Sequence, residues 1–263
     1  MALKFPEGFG IRFLTLFGVG FLGILSLPFI LLAQLRNLPA QVSVSPIELA
    51  ILSLIQPTIL LAIAVAMGTF FAPKVGFRSH IANQVAQGKA MLPRLKREFP
   101  LAAIAGALIG IAIIILDSFF RLGLGELGDR LAIVQPRTLA TTMAGILYGG
   151  ITEELLMRWG LMTLFVWIGW RLLQRRQGKP HPILVWVAII AIAIIFGLGH
   201  LPVVAAVVPL TPLIITRTIF LNAMGGVIFG WLYWRRSLES AMIAHASTHV
   251  CFSLVAGLLS AFS

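Results

Sequence analysis

Long apolar runs separated by short basic linkers dominate the chain. The windows Ile11–Leu35, Ile47–Phe71, Leu101–Phe119, Pro182–Leu198, Thr218–Trp234 and Leu238–Leu259 each reach or approach the roughly 20 residues that a helix needs to cross a bilayer. A further segment, Leu139–Leu173, is weaker, because Glu153, Glu154, Arg158 and Gly160 interrupt it. It reads as one long crossing, or as a crossing followed by a surface helix. The pattern predicts an all-α, polytopic transmembrane helix bundle of about seven or eight spans.

Composition agrees with a bilayer as the solvent: 59% of residues are hydrophobic and 11% are charged. The formal net charge of +11 does not point to nucleic acid, since the basic residues sit in clusters between apolar spans and leave no surface for a basic groove. Lys74, Arg78, Lys89, Arg94, Lys96 and Arg97 occupy one linker, Arg171, Arg175, Arg176 and Lys179 a second, and Arg235 and Arg236 a third. Basic loops face the cytoplasm. A seven-span path puts all three clusters on that side and Arg158 inside the membrane, so the chain is expected to be an integral multi-pass protein, of the cell (inner) membrane if bacterial. The first apolar run is too long for a cleavable signal and is expected to stay as an anchor. Cys251, the single cysteine, permits neither an internal disulfide nor a cysteine metal cluster.

The two halves differ in chemistry. Residues 1–130 read as N-terminal transmembrane helices with almost no ionisable group in their spans, whereas 139–260 hold several. Charged side chains near the bilayer centre are costly and usually face the bundle interior for a purpose. Glu154 and Arg158 are spaced i, i+4 with the acid first, the favourable order for an ion pair. Glu153 is rotated by roughly 100° from its neighbour on an α-helix, which leaves it available while Glu154 is neutralised. His245 and His249, also i, i+4, share one helical face that could meet Glu153 and His200 across the core. A carboxylate with a histidine can deprotonate water, and two further imidazoles can donate to the oxyanion of a tetrahedral intermediate. That is a hydrolase arrangement.

At these residues the chain resembles a known family. Glu153-Glu154-Leu-Leu-Met-Arg158, Phe196-Gly-Leu-Gly-His200 and His245-Ala-Ser-Thr-His249 look like the three motifs of the CPBP group of CAAX prenyl endopeptidases, also called the Abi or Rce1-like family, over about Leu139 to Leu259. The resemblance implies an intramembrane endopeptidase cutting membrane-associated or lipidated, CAAX-like peptides or proteins. It implies that Glu153 and His200 activate the attacking water, that His245 and His249 stabilise the oxyanion, and that Glu154 holds Arg158 as structural support. His249 stands where the family most often has asparagine. The family is generally described as metal-free, so no cofactor is expected, although three histidines and a carboxylate could hold zinc. Partners would be the lipid bilayer and a peptide or lipidated protein substrate.

Two other functions fit the same residues. A proton-coupled transporter would use Glu153 and the histidines as a relay, and such carriers often show broken helices in both halves. An immunity or scaffold protein would use them for packing alone. Elsewhere the sequence suggests architecture: Gly226 and Gly230 form a small-xxx-small pattern for close helix packing, and Trp167, Trp170, Trp231 and Trp234 form an inner aromatic belt. His80 and His181 fall in basic linkers and are expected to be solvated. Arg217 is left unassigned between a substrate carboxylate and lipid headgroups. One difficulty stands: His200 ends its span while His245 comes early in the last one, and both spans start on the cytoplasmic side.

Overall fold

Helix starts are written locally. Ser45, Ser79, Thr138, Thr211 and Ser237 each accept the backbone N–H three residues on, as N-caps do, and proline occupies the first turn after Ser45, His181 and Thr211. Gly76 and Gly88, at φ 79 and 64, end their helices in the left-handed conformation. The computed structural model describes residues 5–35 and 45–262. Its elements are α1 (Phe9–Ile24), α2 (Leu27–Leu35), α3 (Pro46–Val75), α4 (His80–Gln87), α5 (Leu92–Leu122), α6 (Glu126–Arg130), α7 (Leu139–Ala144), α8 (Thr163–Leu172), α9 (Pro182–Gly199), α10 (Leu201–Ala205), α11 (Pro212–Arg235) and α12 (Leu238–Ala261). Two π-helical stretches, Gly145–Glu153 and Leu155–Met162, join α7 to α8 in one unbroken helical rod.

The protein is an all-helical polytopic bundle. Among the described residues, six helical segments are long and apolar enough to cross a membrane: Phe9–Leu32, Ile47–Val75, Leu92–Leu122, Pro182–Ala205, Pro212–Arg235 and Leu238–Ala261. The rod Leu139–Leu172 adds a seventh long helical run, lowered in apolarity by its own charges. It does not break at Gly160 into a separate surface helix. The outer faces carry Leu14, Ile55, Leu108 and Leu258, each at least half exposed, which suits a bundle solvated by lipid.

Small residues let the helices approach. A Cβ at Gly226 would lie 2.8 Å from the Ala193 Cβ, and one at Gly106 would meet the Ala244 backbone oxygen at 2.0 Å. The Gly226 pattern thus packs α11 on α9, as expected, while Gly106 packs α5 on α12. Thr152 Oγ1 donates to Gly20 O at 2.7 Å and fastens α1 to the rod.

At one end of the bundle the basic linkers fold onto the helices. Glu239 accepts from Ser79 Oγ at 2.6 Å and from the backbone N–H groups of His80 and Ile81 at 2.9 and 3.0 Å, a carboxylate capping the start of α4. Glu98 accepts from Ser237 and Ser240 and lies 3.2 Å from His80 Nε2. The expectation of a solvated His80 is therefore wrong: it is 3% exposed, because α4 tucks it beneath two carboxylates that sequence distance concealed. His181 is exposed and accepts the Ile183 N–H at the start of α9.

Candidate functional site

The rod supplies the acids. In its widened π turns, where bonds run i→i+5, each residue rotates less about the axis than in an α-helix. Glu153 and Glu154, at the junction of the two stretches, flank opposite nitrogens of one imidazole. Glu154, fully buried, lies 3.0 Å from Arg158 Nη1 and 2.8 Å from His245 Nδ1. Glu153, whose side chain is 18% exposed, lies 3.9 Å from His245 Nε2, beyond a direct hydrogen bond. Arg158 donates from Nη2 to Gly226 O at 3.0 Å and sits 5.2 and 5.5 Å from the rings of Phe196 and Phe229. The expected Glu154–Arg158 pair is present. Its extension to His245 was not foreseen.

The histidines arrive from two helices. His245 stacks on Phe229 at 4.5 Å between ring centroids and on His249 at 5.1 Å. The His249 ring lies against Gly145 and Gly149, where a Cβ would come within 2.7 and 2.6 Å of its ring nitrogens. Glycine at these two positions is what admits an imidazole so close to the rod. His200 follows the last turn of α9, and its Nδ1 lies 2.8 Å from Phe196 O. An Nδ1–H donated there leaves Nε2 as an acceptor. Phe196 touches both rings, at 4.7 Å to His200 and 5.8 Å to His245. The difficulty over depth is thereby reduced, since one phenylalanine spans the offset and the chain stays helical past Leu201 to Ala205.

Glu153, His200, His245 and His249 all line one cavity of ≈ 510 Å³. Tyr148, Arg137 and Asn222 line it too, none of them singled out from the sequence. Arg217, left open above, is held: its Nε donates to Asp117 Oδ1 at 2.7 Å, its Nη2 bonds the same carboxylate and donates to Leu131 O at 2.7 Å, and Asp117 also accepts from Ile133 N. This buried pair ties the connection after α6 to α5 and α11. An aspartate and an arginine in facing spans were the available signal, but Asp117 sits at the end of its apolar run and passes for a helix terminus. Among the described residues, no three His, Cys, Asp or Glu side chains are grouped as a metal ion requires.

Chemically, the site presents a carboxylate and imidazoles to one cavity, with a second carboxylate paired to Arg158 beside them. Residues 135–251 match the family model described as type II CAAX prenyl endopeptidase Rce1-like. No curated protein and no solved structure matches the chain.

Proposed function

Taking the segment that carries the site, residues 135–251, as an Rce1-like domain of the CAAX-type membrane proteases, we propose that the protein is an intramembrane endopeptidase. Glu153 takes the proton from an attacking water, without a metal ion. The observation that supports this reading most is the convergence of Glu153, His200, His245 and His249 on one cavity, with Glu153 beyond hydrogen-bond distance of His245 and Glu154 engaged by Arg158 and His245 through Oε1. The same cavity would receive membrane-associated or lipidated, CAAX-like peptides.

The proposed steps use only groups that line the cavity. Water held beside Glu153 loses a proton to the carboxylate as it attacks the scissile carbonyl, with His200 Nε2 as a second acceptor for that water. The carbonyl oxygen becomes an oxyanion facing His245 and His249, which stabilise it by donating hydrogen bonds. The proton on Glu153 then passes to the leaving amine. The bond from His245 Nδ1 to Glu154 constrains the third residue. His245 donates from Nε2 only when both ring nitrogens carry protons, and with Glu153 and Glu154 ionised beside Arg158 the cluster is then uncharged. In the neutral ring, Nε2 accepts, and His245 joins Glu153 in holding the water.

The test compares purified protein with its Glu153→Ala variant on prenylated and unprenylated hydrophobic peptides. Loss of a positioned general base should lower the rate about 10²- to 10⁴-fold, and equal cleavage by both would overturn the assignment. The transporter reading predicts instead that proteoliposomes take up solute in a Glu153-dependent way with no hydrolysis.

A further inference from the structure

The basic linkers and the site cavity occupy opposite ends of the bundle. Contacts gather all three linkers at one end: Leu238 N donates to Arg78 O at 3.1 Å, and Phe71 packs on Trp167 at 4.2 Å between centroids. Residues 74–97, 171–179 and 235–236 therefore share a face, and the bias of Lys and Arg toward cytoplasmic loops makes that face cytoplasmic. At the other end residues 121–137 carry three arginines and two acids, with Arg121 paired to Asp129 at 2.6 Å, far fewer cations than the basic linkers hold.

None of the three basic clusters lines the cavity. On the rod it runs from Thr141 to Glu153, the half nearest α7, and on α11 from Arg217 to Phe229, stopping short of the basic pair at its far end. Toward the cytoplasmic face it is stopped by a plug of Arg158, Trp159, Phe229 and Tyr233, each at most 2% exposed. Thr163 and Tyr233 share a hydrogen bond of 2.7 Å within that plug. Toward the opposite face the cavity reaches Leu131 and Arg137 of the α6–α7 connection and Val203 of α10, which is 69% exposed. A peptide approaching from the cytoplasm would have to displace the plug and the Glu154–Arg158 pair. From the other side it meets, among the described residues, only the cavity mouth.

We infer that the site is entered from the non-cytoplasmic face. Its substrate is then a peptide segment presented on that side, one that has already crossed the membrane or is anchored in the leaflet facing away from the cytoplasm. The side of entry stands on geometry and charge alone. The word substrate rests on the peptidase reading above.

The test uses the full chain with Cys251→Ser, so that single cysteines can be introduced at exposed positions: Val203→Cys at the mouth, Glu126→Cys on the same face and Gln177→Cys in a basic linker. A membrane-impermeant maleimide applied to intact cells should label the first two as fully as after permeabilisation, and Gln177→Cys only after permeabilisation. The reverse pattern would overturn the inference. In a second arm, a charged, quenched peptide that detergent-solubilised protein cleaves is supplied to spheroplasts and to inverted vesicles. Cleavage confined to spheroplasts supports non-cytoplasmic entry, and cleavage confined to inverted vesicles overturns it. If the solubilised protein cleaves no peptide, the peptidase reading fails, and the labelling arm alone decides the side of entry.

Discussion

Adjacent glutamates should give opposite phenotypes when each is replaced by alanine. Glu154 is fully buried and holds two partners at 3.0 and 2.8 Å. Removing it strands Arg158, itself 1% exposed, with Gly226 O as its remaining acceptor among the described residues. Breaking a buried pair from one side costs about 3–5 kcal/mol, and for a chain of this size each kcal/mol shifts Tm by about 2–4 °C. Glu154→Ala should therefore lower Tm in detergent by roughly 6–20 °C and release His245 from its fixed orientation. Among the described residues Glu153 has no ion-pair partner closer than 3.9 Å, so Glu153→Ala should stay within about 0.5 kcal/mol of the parent while losing activity. Thermal unfolding measured beside peptide cleavage checks both. Replacing Arg158 by methionine in the Glu154→Ala background should recover part of the lost stability, because an uncompensated buried charge is removed with its stem volume kept, but should not recover activity. If Glu153→Ala unfolds as early as Glu154→Ala, or if Arg158→Met deepens the loss, the division of labour between the two acids is wrong.

Other perturbations test the cavity and its walls. Gly149→Ala puts a methyl group 2.6 Å from the His249 ring; a displacement near 1 Å should cost about 10²-fold in kcat/KM. The same change should add little in a His249→Ala background, and additive losses would show that the clash lies elsewhere. Asp117→Ala strands Arg217 and frees the connection at Leu131 and Ile133, with an expected loss of about 3–5 kcal/mol and faster proteolysis between α6 and α7 in a limited-digestion assay. Gly226→Val forces α11 away from Ala193 and presses on Arg158. Overpacking of this kind costs about 1–3 kcal/mol, read as earlier thermal unfolding, and an unchanged Tm would contradict the close α9–α11 contact.

Much of the architecture was legible because a bilayer leaves few alternatives: an apolar run long enough to span must be a helix. The Glu154–Arg158 pair was legible for a similar reason, since i, i+4 spacing survives most helical distortions. The π character of Gly145–Met162 was not, because an i→i+5 turn has no side-chain period that a short segment can display. Nor does spacing show that Glu153, expected to point away from its neighbour, faces the other nitrogen of the imidazole that Glu154 holds. His80 was misread because charge density in a linker suggests solvent. Only the fold shows that Glu98 and Glu239, distant in sequence, close over α4.

Spacing accounts for only half of what the second acid does. An arginine alone could be neutralised by one carboxylate, yet Glu154 also holds His245 Nδ1. An imidazole stacked between Phe229 and His249 could otherwise flip about χ2 and exchange its two nitrogens. Fixing Nδ1 on a buried carboxylate directs Nε2 toward Glu153, and the guanidinium beneath keeps that carboxylate from being an isolated buried charge. The i, i+4 pair thus does more than neutralise charge in lipid: it gives the cavity a histidine of defined orientation opposite a carboxylate left free to take a proton. A Glu154→Gln substitution keeps the shape but lets the amide donate as well as accept. Its effect should consequently appear in the pH dependence of cleavage more than in peptide KM, whereas a purely packing role for Glu154 would leave the pH profile unmoved.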